Sequence, residues 1–308
     1  MHYAAAGLGF LATLFFILPL YTANGSVFIG AQIIFGFKEA NLDIFSFLAF
    51  LLPSAASMVL LIKTKHSESV SMLLFLLSGL VLIAVPEFTD FFNKSLGLTI
   101  IVTTYVIPIV FSFVASLFCL TLAIRKNEFS TYQIVEMAML VGIAIVLDLP
   151  GLKIKLPSGS IGFTMVPLFI LVLLQGPIKG FIGAGLVYGF VTCVLDGWGL
   201  ATFPLDYMLG YGSLALLGIF KSYILNDNTA KFNLRGVLYL SIGVIISIAG
   251  RLLASTISGV VYYEVAFWPS MAINAVPILS SGGIVLVMLI GLYDPLIRIS
   301  RLLKNRLS

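Results

Sequence analysis

The sequence predicts an all-α, polytopic membrane protein of about ten transmembrane helices. Three observations carry this prediction. Of 308 residues, 60% are hydrophobic and 10% are charged, with a mean hydropathy of +1.13; soluble domains carry about a quarter charged residues. The apolar residues fall in continuous runs of about 17–25, the length that spans hydrocarbon as a helix. Barrel strands would instead alternate apolar and polar residues. A water-soluble fold could not hide this much apolar surface. In lipid only a helix or a closed barrel satisfies its own backbone.

The elements follow in order. The first apolar run, 3–21, has no basic segment before it and no small-residue cleavage site after Tyr21, so it reads as a retained span. The stretch Gly25–Phe37 is apolar but too short to cross, and reads as interfacial or re-entrant. Spans follow at 44–62, 69–86 and 99–124. The polar run Arg125–Thr131 (RKNEFST) is the best internal boundary. It separates residues 1–126, a four-helix membrane region without an assigned role, from residues 127–308, a six-helix region. The six spans are 132–149, 161–175, 180–195, 205–225, 236–262 and 271–297. The run 161–175 is short and is expected to extend into flanking turns. Asn226–Leu234 (NDNTAKFNL) forms a second polar loop.

Positive charge orients this scheme. With the N-terminus in the cytoplasm, the inner loops hold Lys63, Lys65, Arg125, Lys126, Lys179, Lys221, Lys231 and Arg235, and the C-terminal tail adds Arg298, Arg301, Lys304 and Arg306. The outer loops hold only Lys38, Lys94, Lys153 and Lys155. Twelve against four satisfies the positive-inside rule. Both termini are therefore expected in the cytoplasm, with the protein in the cell membrane.

Much chemistry is excluded. The only histidines are His2 and His66, so a zinc site or a histidine-based triad is not expected. Cys119 and Cys193 fall inside spans and read as small buried residues. There is no phosphate-binding G-x-x-x-x-G-K-[ST] loop, no G-x-S-x-G elbow and no cofactor fingerprint. No basic tract interleaved with aromatics suggests nucleic acid. Neither a cofactor nor an enzymatic activity is expected.

The two regions differ in polar content. The first is nearly featureless inside the membrane, its acids Glu39, Asp43, Glu87 and Asp90 lying in loops or at span ends. The second gathers polar and aromatic residues at the outer ends of its helices: Tyr188, Asp196 and Trp198; Asp206, Tyr207 and Tyr211; Arg251, Tyr262, Tyr263, Glu264 and Trp268; Asn274, Ser280 and Ser281. Charges within spans are costly and usually face a cavity or a partner. Aromatics beside a carboxylate can hold a flat cation by stacking and charge neutralisation. The competing reading is an aromatic belt at the interface, with Arg251 paired to an acid. Ala138-x-x-x-Gly142 and Gly185-x-x-x-Gly189 present small residues four apart, which let helix backbones approach closely, within the chain or against another subunit.

From Ile134 onward the chain resembles the substrate-binding S components of energy-coupling factor (ECF) vitamin transporters, most closely the thiamine-specific family. The resemblance is carried by Glu136–Leu149 (EMAMLVGIAIVLDL), Leu156–Leu171, Gly176–Phe190 (GPIKGFIGAGLVYGF), Pro204–Phe220 (PLDYMLGYGSLALLGIF) and Gly250–Pro277. It implies an S-component-like bundle of six helices that binds one thiamine-like vitamin from outside. It implies a membrane coupling subunit and two cytoplasmic ATPase subunits as partners, so that ATP hydrolysis occurs in trans. Ala138 and Gly142 match the family's small-residue face for the coupling subunit. Asp206-Tyr207 matches its acid–tyrosine pair, the acid facing the cationic ligand. Tyr188 matches an aromatic of the third helix, Arg251 an arginine of the fifth, and Trp268 a tryptophan before the last. Asn274, Ser280 and Ser281 are alternatives for the polar residue of the last helix. The family often has a histidine in the third or fifth helix; this chain has none, and Ser255 stands near one such place.

The expected function is therefore the substrate-binding subunit of an ATP-driven vitamin uptake system, for thiamine or a related pyrimidine. An S component for another vitamin, an ion-driven transporter, a membrane enzyme using Asp196, Asp206, Arg251 and Glu264, and a scaffold without a ligand remain as alternatives.

Overall fold

A computed structural model of the chain describes residues 2–23, 26–29, 44–62, 67–92, 99–126, 129–156, 159–197, 199–225 and 233–307. The chain forms two compact units, Met1–Glu128 and Phe129–Ser308.

Four helices build the first unit: α1 (His2–Leu14), α2 (Ile44–Ile62), α3 (Ser67–Phe92) and α4 (Val102–Lys126). Strands β1 (Pro19–Ala23), β2 (Ser26–Ile29) and β3 (Thr99–Ile100) form a small antiparallel sheet in the order β2-β1-β3. The interior of this unit is stitched by hydroxyls. Ser57 Oγ donates to the Ala6 carbonyl at 2.9 Å, Ser116 Oγ to the Met72 carbonyl at 3.3 Å, and Ser78 and Ser112 share a bond of 3.2 Å. Such bonds matter where no water competes for the group. The expected span 3–21 is not one helix. The α-helix stops at Leu14, a short 3₁₀ turn covers Phe15–Ile17, and Pro19 opens β1. Proline cannot donate the amide bond that a helix interior needs, whereas the first residue of a strand tolerates its loss. Of Gly25–Phe37, expected to be interfacial or re-entrant, Ser26–Ile29 is strand; Gly25 and residues 30–37 lie outside the described residues, as does 226–232.

The second unit carries the remaining helices. They are α5 (Thr131–Leu147), α6 (Met165–Gln175), α7 (Pro177–Asp196), α8 (Leu200–Ile224), α9 (Leu234–Tyr263), α10 (Phe267–Gly291) and α11 (Tyr293–Leu307). A hairpin of β4 (Ile154–Leu156) and β5 (Gly159–Ile161) joins α5 to α6. Sequence signals start two of the helices. Ser130 and Gln133 form a reciprocal capping box on α5, and the Asn233 side chain accepts from the Arg235 amide at 3.1 Å to open α9. Helix α6 is apolar all round and sits in the core, with Leu168, Phe169, Leu171, Val172 and Leu173 fully buried.

The all-α polytopic class is thus observed. Six described helices are long and apolar enough to cross a membrane: Ser67–Val85, Tyr105–Arg125, α7, α8, α9 and α10. Shorter apolar helices account for Phe50–Ile62, α5 and α6. The expected span 271–297 divides in two. Helix α10 ends at Gly291, and α11 restarts at Tyr293 with Pro295 in its first turn, where a missing amide costs no bond.

Helices α7 and α8 are irregular. The first holds a π-helical segment at Phe181–Tyr188, the second another at Phe203–Leu209 and a 3₁₀ segment at Ser213–Phe220. The pair packs backbone to backbone. A Cβ on Gly185 would lie 2.7 Å from the Met208 carbonyl oxygen, and one on Gly189 3.0 Å from that of Tyr207. The Gly185–Gly189 stripe is therefore an intramolecular contact.

Candidate ligand pocket

A cavity of about 440 Å³ opens at one end of the second unit. Five elements meet there: the β4–β5 hairpin, the C-terminal end of α7, the N-terminal end of α8, the C-terminal half of α9 and the N-terminal half of α10. Its volume lies within the range of small-molecule pockets. The helices supply its lining by simple periodicity. Arg251, Ser255 and Ser258 follow the i, i+4, i+7 stripe of α9, and Ser270, Asn274, Pro277 and Ser281 follow the matching stripe of α10. A tight turn clamps these two helices together. Glu264 adopts the left-handed conformation (φ 54°), and the Val265 amide returns to the Gly259 carbonyl at 3.2 Å. A Cβ on Gly259 would fall 2.0 Å from Ser270 Oγ, so any side chain there would displace the Ser270 hydroxyl.

The charged groups are held in place. Ser255 Oγ donates to Asp206 Oδ1 at 2.6 Å, bracing α8 against α9. Tyr207 OH donates to Asp196 Oδ2 at 3.1 Å, tying α8 to α7. Asn274 Nδ2 donates to the Ser270 carbonyl at 2.9 Å and to that of Ser255 at 3.4 Å. The Arg251 guanidinium lies over the Tyr211 ring at 4.0 Å, a cation–π contact. Among the described residues Arg251 forms no salt bridge, and its Nε is buried without a hydrogen-bond partner. Ser258 Oγ, also on the lining, is buried and unpartnered. The pocket thus offers two carboxylates, one guanidinium, three tyrosines and two donors whose bonds are unmade. Buried donors in that state favour a ligand that brings acceptors.

Of the residues singled out from the sequence, Asp196, Asp206, Tyr207, Tyr211, Arg251, Tyr263 and Asn274 converge on this cavity. Tyr188 is fully buried behind it, its ring edge-on to Tyr211 with centroids 4.7 Å apart. Trp268 is not among the lining residues; it is 37% exposed and sits edge-on to Phe267 at 5.4 Å. Of the last-helix alternatives, Asn274 and Ser281 line the cavity, and Ser281 Oγ also receives the Gly162 amide at 3.3 Å. Trp198 lies outside the described residues. Sequence reasoning passed over Ser258, Ser270 and the hairpin residues Gly159 and Ser160. The stripes on α9 and α10 could have identified the two serines; nothing local marks the hairpin. Near it, Lys153 pairs with Asp148 at 2.9 Å, both side chains mostly buried.

The candidate docking residues differ from the Gly185 stripe. Ala138 is exposed on α5, and a Cβ on Gly142 would meet nothing within 4 Å. Ile134, Val135 and Met139 are exposed beside them.

Fold and pocket together define a polytopic membrane protein with a polar small-molecule cavity at one end of its second unit. The family described as thiamine transporter protein (Thia_YuaJ) matches residues 134–300. That is more than half of the chain, and the chain belongs to this family, which bears out the resemblance read from its residues. It is a membrane transport protein of the thiamine-uptake class. Among solved structures, ThiT from Listeria monocytogenes is 19% identical, with alignment over 54% of this chain and 97% of that one and a TM-score of 0.47. No curated protein sequence matches significantly.

Proposed function

We propose that the chain is the substrate-capturing subunit of an ECF-type uptake system and that the cavity binds thiamine itself. The observation that carries this reading is the pairing, in one cavity, of a fixed carboxylate with aromatic walls and unmade donor bonds. Thiamine joins a cationic thiazolium to an aminopyrimidine rich in acceptors. Asp206 offsets the ligand's charge, Tyr207 and Tyr211 supply flat walls, and Arg251 with Asn274 orients the pyrimidine. Tyr188 acts from behind by fixing the Tyr211 ring. The cavity faces outward, both termini are cytoplasmic, and the host is the cell membrane, in keeping with the distribution of basic residues. Energy comes from partner subunits: a membrane coupling protein docked on Ala138 and Gly142, and two cytoplasmic ATPases.

Calorimetric titration of the purified full chain tests the ligand. Submicromolar binding of thiamine is expected, and Asp206→Asn weakens it by at least about tenfold, or roughly 1.4 kcal/mol. Absence of binding to both thiamine and its pyrimidine precursor would reject the ligand. An Asp206→Asn chain that binds thiamine like the parent would reject the role of that carboxylate.

A further inference from the structure

The C-terminal helix α11 is unlike the others. Its sequence, YDPLIRISRLLKNRL, puts Leu296, Ile299 and Leu303 on one stripe and Asp294, Arg298 and Arg301 on the opposite one. Lys304 and Arg306 add two further cations.

Its depth in the membrane is fixed by two spans at once. Helix α10, at 25 residues, is about 37 Å long and already crosses the hydrocarbon. The chain breaks at Leu292, and α11 begins at the boundary where that span ends. Tyr293, the first residue of α11, is fully buried and donates its hydroxyl to the Ile224 carbonyl at 2.9 Å, at the last residue of the α8 span. Leu296 and Ile297 join the core of the unit. Beyond this anchor the helix presents Ile299 (43% exposed) and Leu302 (63% exposed), with Arg298 exposed beside Leu302 on the helix surface. Exposed aliphatic residues beside cations, at the level where two spans end, match neither water nor hydrocarbon alone. They match the headgroup boundary of an anionic leaflet, which covers the aliphatic side chains with acyl chains and neutralises the cations with phosphate.

We propose that α11 is an interfacial helix that binds anionic phospholipid. The partner is committed by charge: in the sequence, four basic residues and no acidic one follow Asp294. The test uses the full chain, incubated with equal amounts of phosphatidylglycerol and phosphatidylcholine and examined by native mass spectrometry. The parent retains phosphatidylglycerol in at least about threefold excess, and the excess shrinks as salt rises. Arg298→Gln/Arg301→Gln/Lys304→Gln/Arg306→Gln abolishes the preference, whereas Arg298→Lys/Arg301→Lys/Arg306→Lys keeps it. Equal retention of both lipids by the parent, or a salt-insensitive preference, would overturn the proposal, and the parent measurement decides even if the glutamine variant fails to fold. A folded glutamine variant that keeps the lipid preference but loses co-purification with a coupling subunit would overturn it in favour of a protein-docking helix.

Discussion

Asp206 and Arg251 face one cavity from neighbouring helices, yet each is steadied by an uncharged group. Asp206 accepts from Ser255, and Arg251 lies on the Tyr211 ring. Among the described residues the two form no direct ion pair, which leaves both charged groups with bonding capacity for a ligand. An arginine inside a membrane protein is costly; among the described residues Arg251 forms no direct salt bridge, and a ligand that supplies an acceptor to its buried Nε recovers part of that cost. Arg251→Gln keeps hydrogen-bonding capacity but loses the charge and the cation–π contact. It is expected to weaken thiamine binding by about tenfold, roughly 1.4 kcal/mol, in a calorimetric titration. Ser255→Ala removes the bond that orients Asp206 and is expected to cost binding by a similar factor; full-affinity binding would show that the carboxylate needs no brace. Ser255 stood out in the sequence only as a residue near a place where relatives carry histidine. Its role required the approach of α8 to α9, which no local pattern encodes.

At the scale of elements, two small-residue stripes that look alike in sequence have different surroundings. Gly185 faces the backbone of α8, and a methyl there would press on the Met208 carbonyl and on Gly212, neither of which can retreat as a side chain would. Gly185→Ala is expected to destabilise the second unit by about 1–3 kcal/mol, read as a fall in the thermal midpoint of the purified protein. Gly142 faces open space, so Gly142→Leu is expected to leave thiamine binding and the thermal midpoint unchanged. The same variant should abolish co-purification with the coupling subunit; retained co-purification would remove α5 as the docking face. The α9–α10 turn adds a third test. Glu264 holds φ at 54° without help from glycine, a strain that β-branching increases. Glu264→Val is expected to lower stability by about 1–2 kcal/mol in the same thermal measurement, with Glu264→Gly neutral or better.

At the scale of the molecule, the cavity is assembled wholly within Phe129–Ser308, and the family match, residues 134–300, falls in the same unit. Its core is continuous from α5 through α11. We therefore expect the chain 129–308 alone to bind thiamine as tightly as the full protein, measured by titration of both. Loss of binding on truncation would assign Met1–Glu128 a part in capture. That first unit has its own core, around Phe16, Leu20, Tyr21, Leu82, Val85 and Tyr105.

The sequence by itself determined the membrane class, the polar boundary near residue 126 and the charged residues that line the cavity. Long apolar runs, the charge bias and polar residues at helix ends report directly on the cost of leaving water, and that cost acts residue by residue. Only the tertiary structure decided which helices are broken and which polar groups meet. The split at Leu292, the strand after Pro19 and the hairpin at the cavity mouth depend on contacts between segments distant in the chain. So do the withdrawal of Tyr188 behind Tyr211 and the position of Trp268 off the lining. Hydropathy measures how a segment partitions into lipid; which face of it then finds a partner is settled by packing.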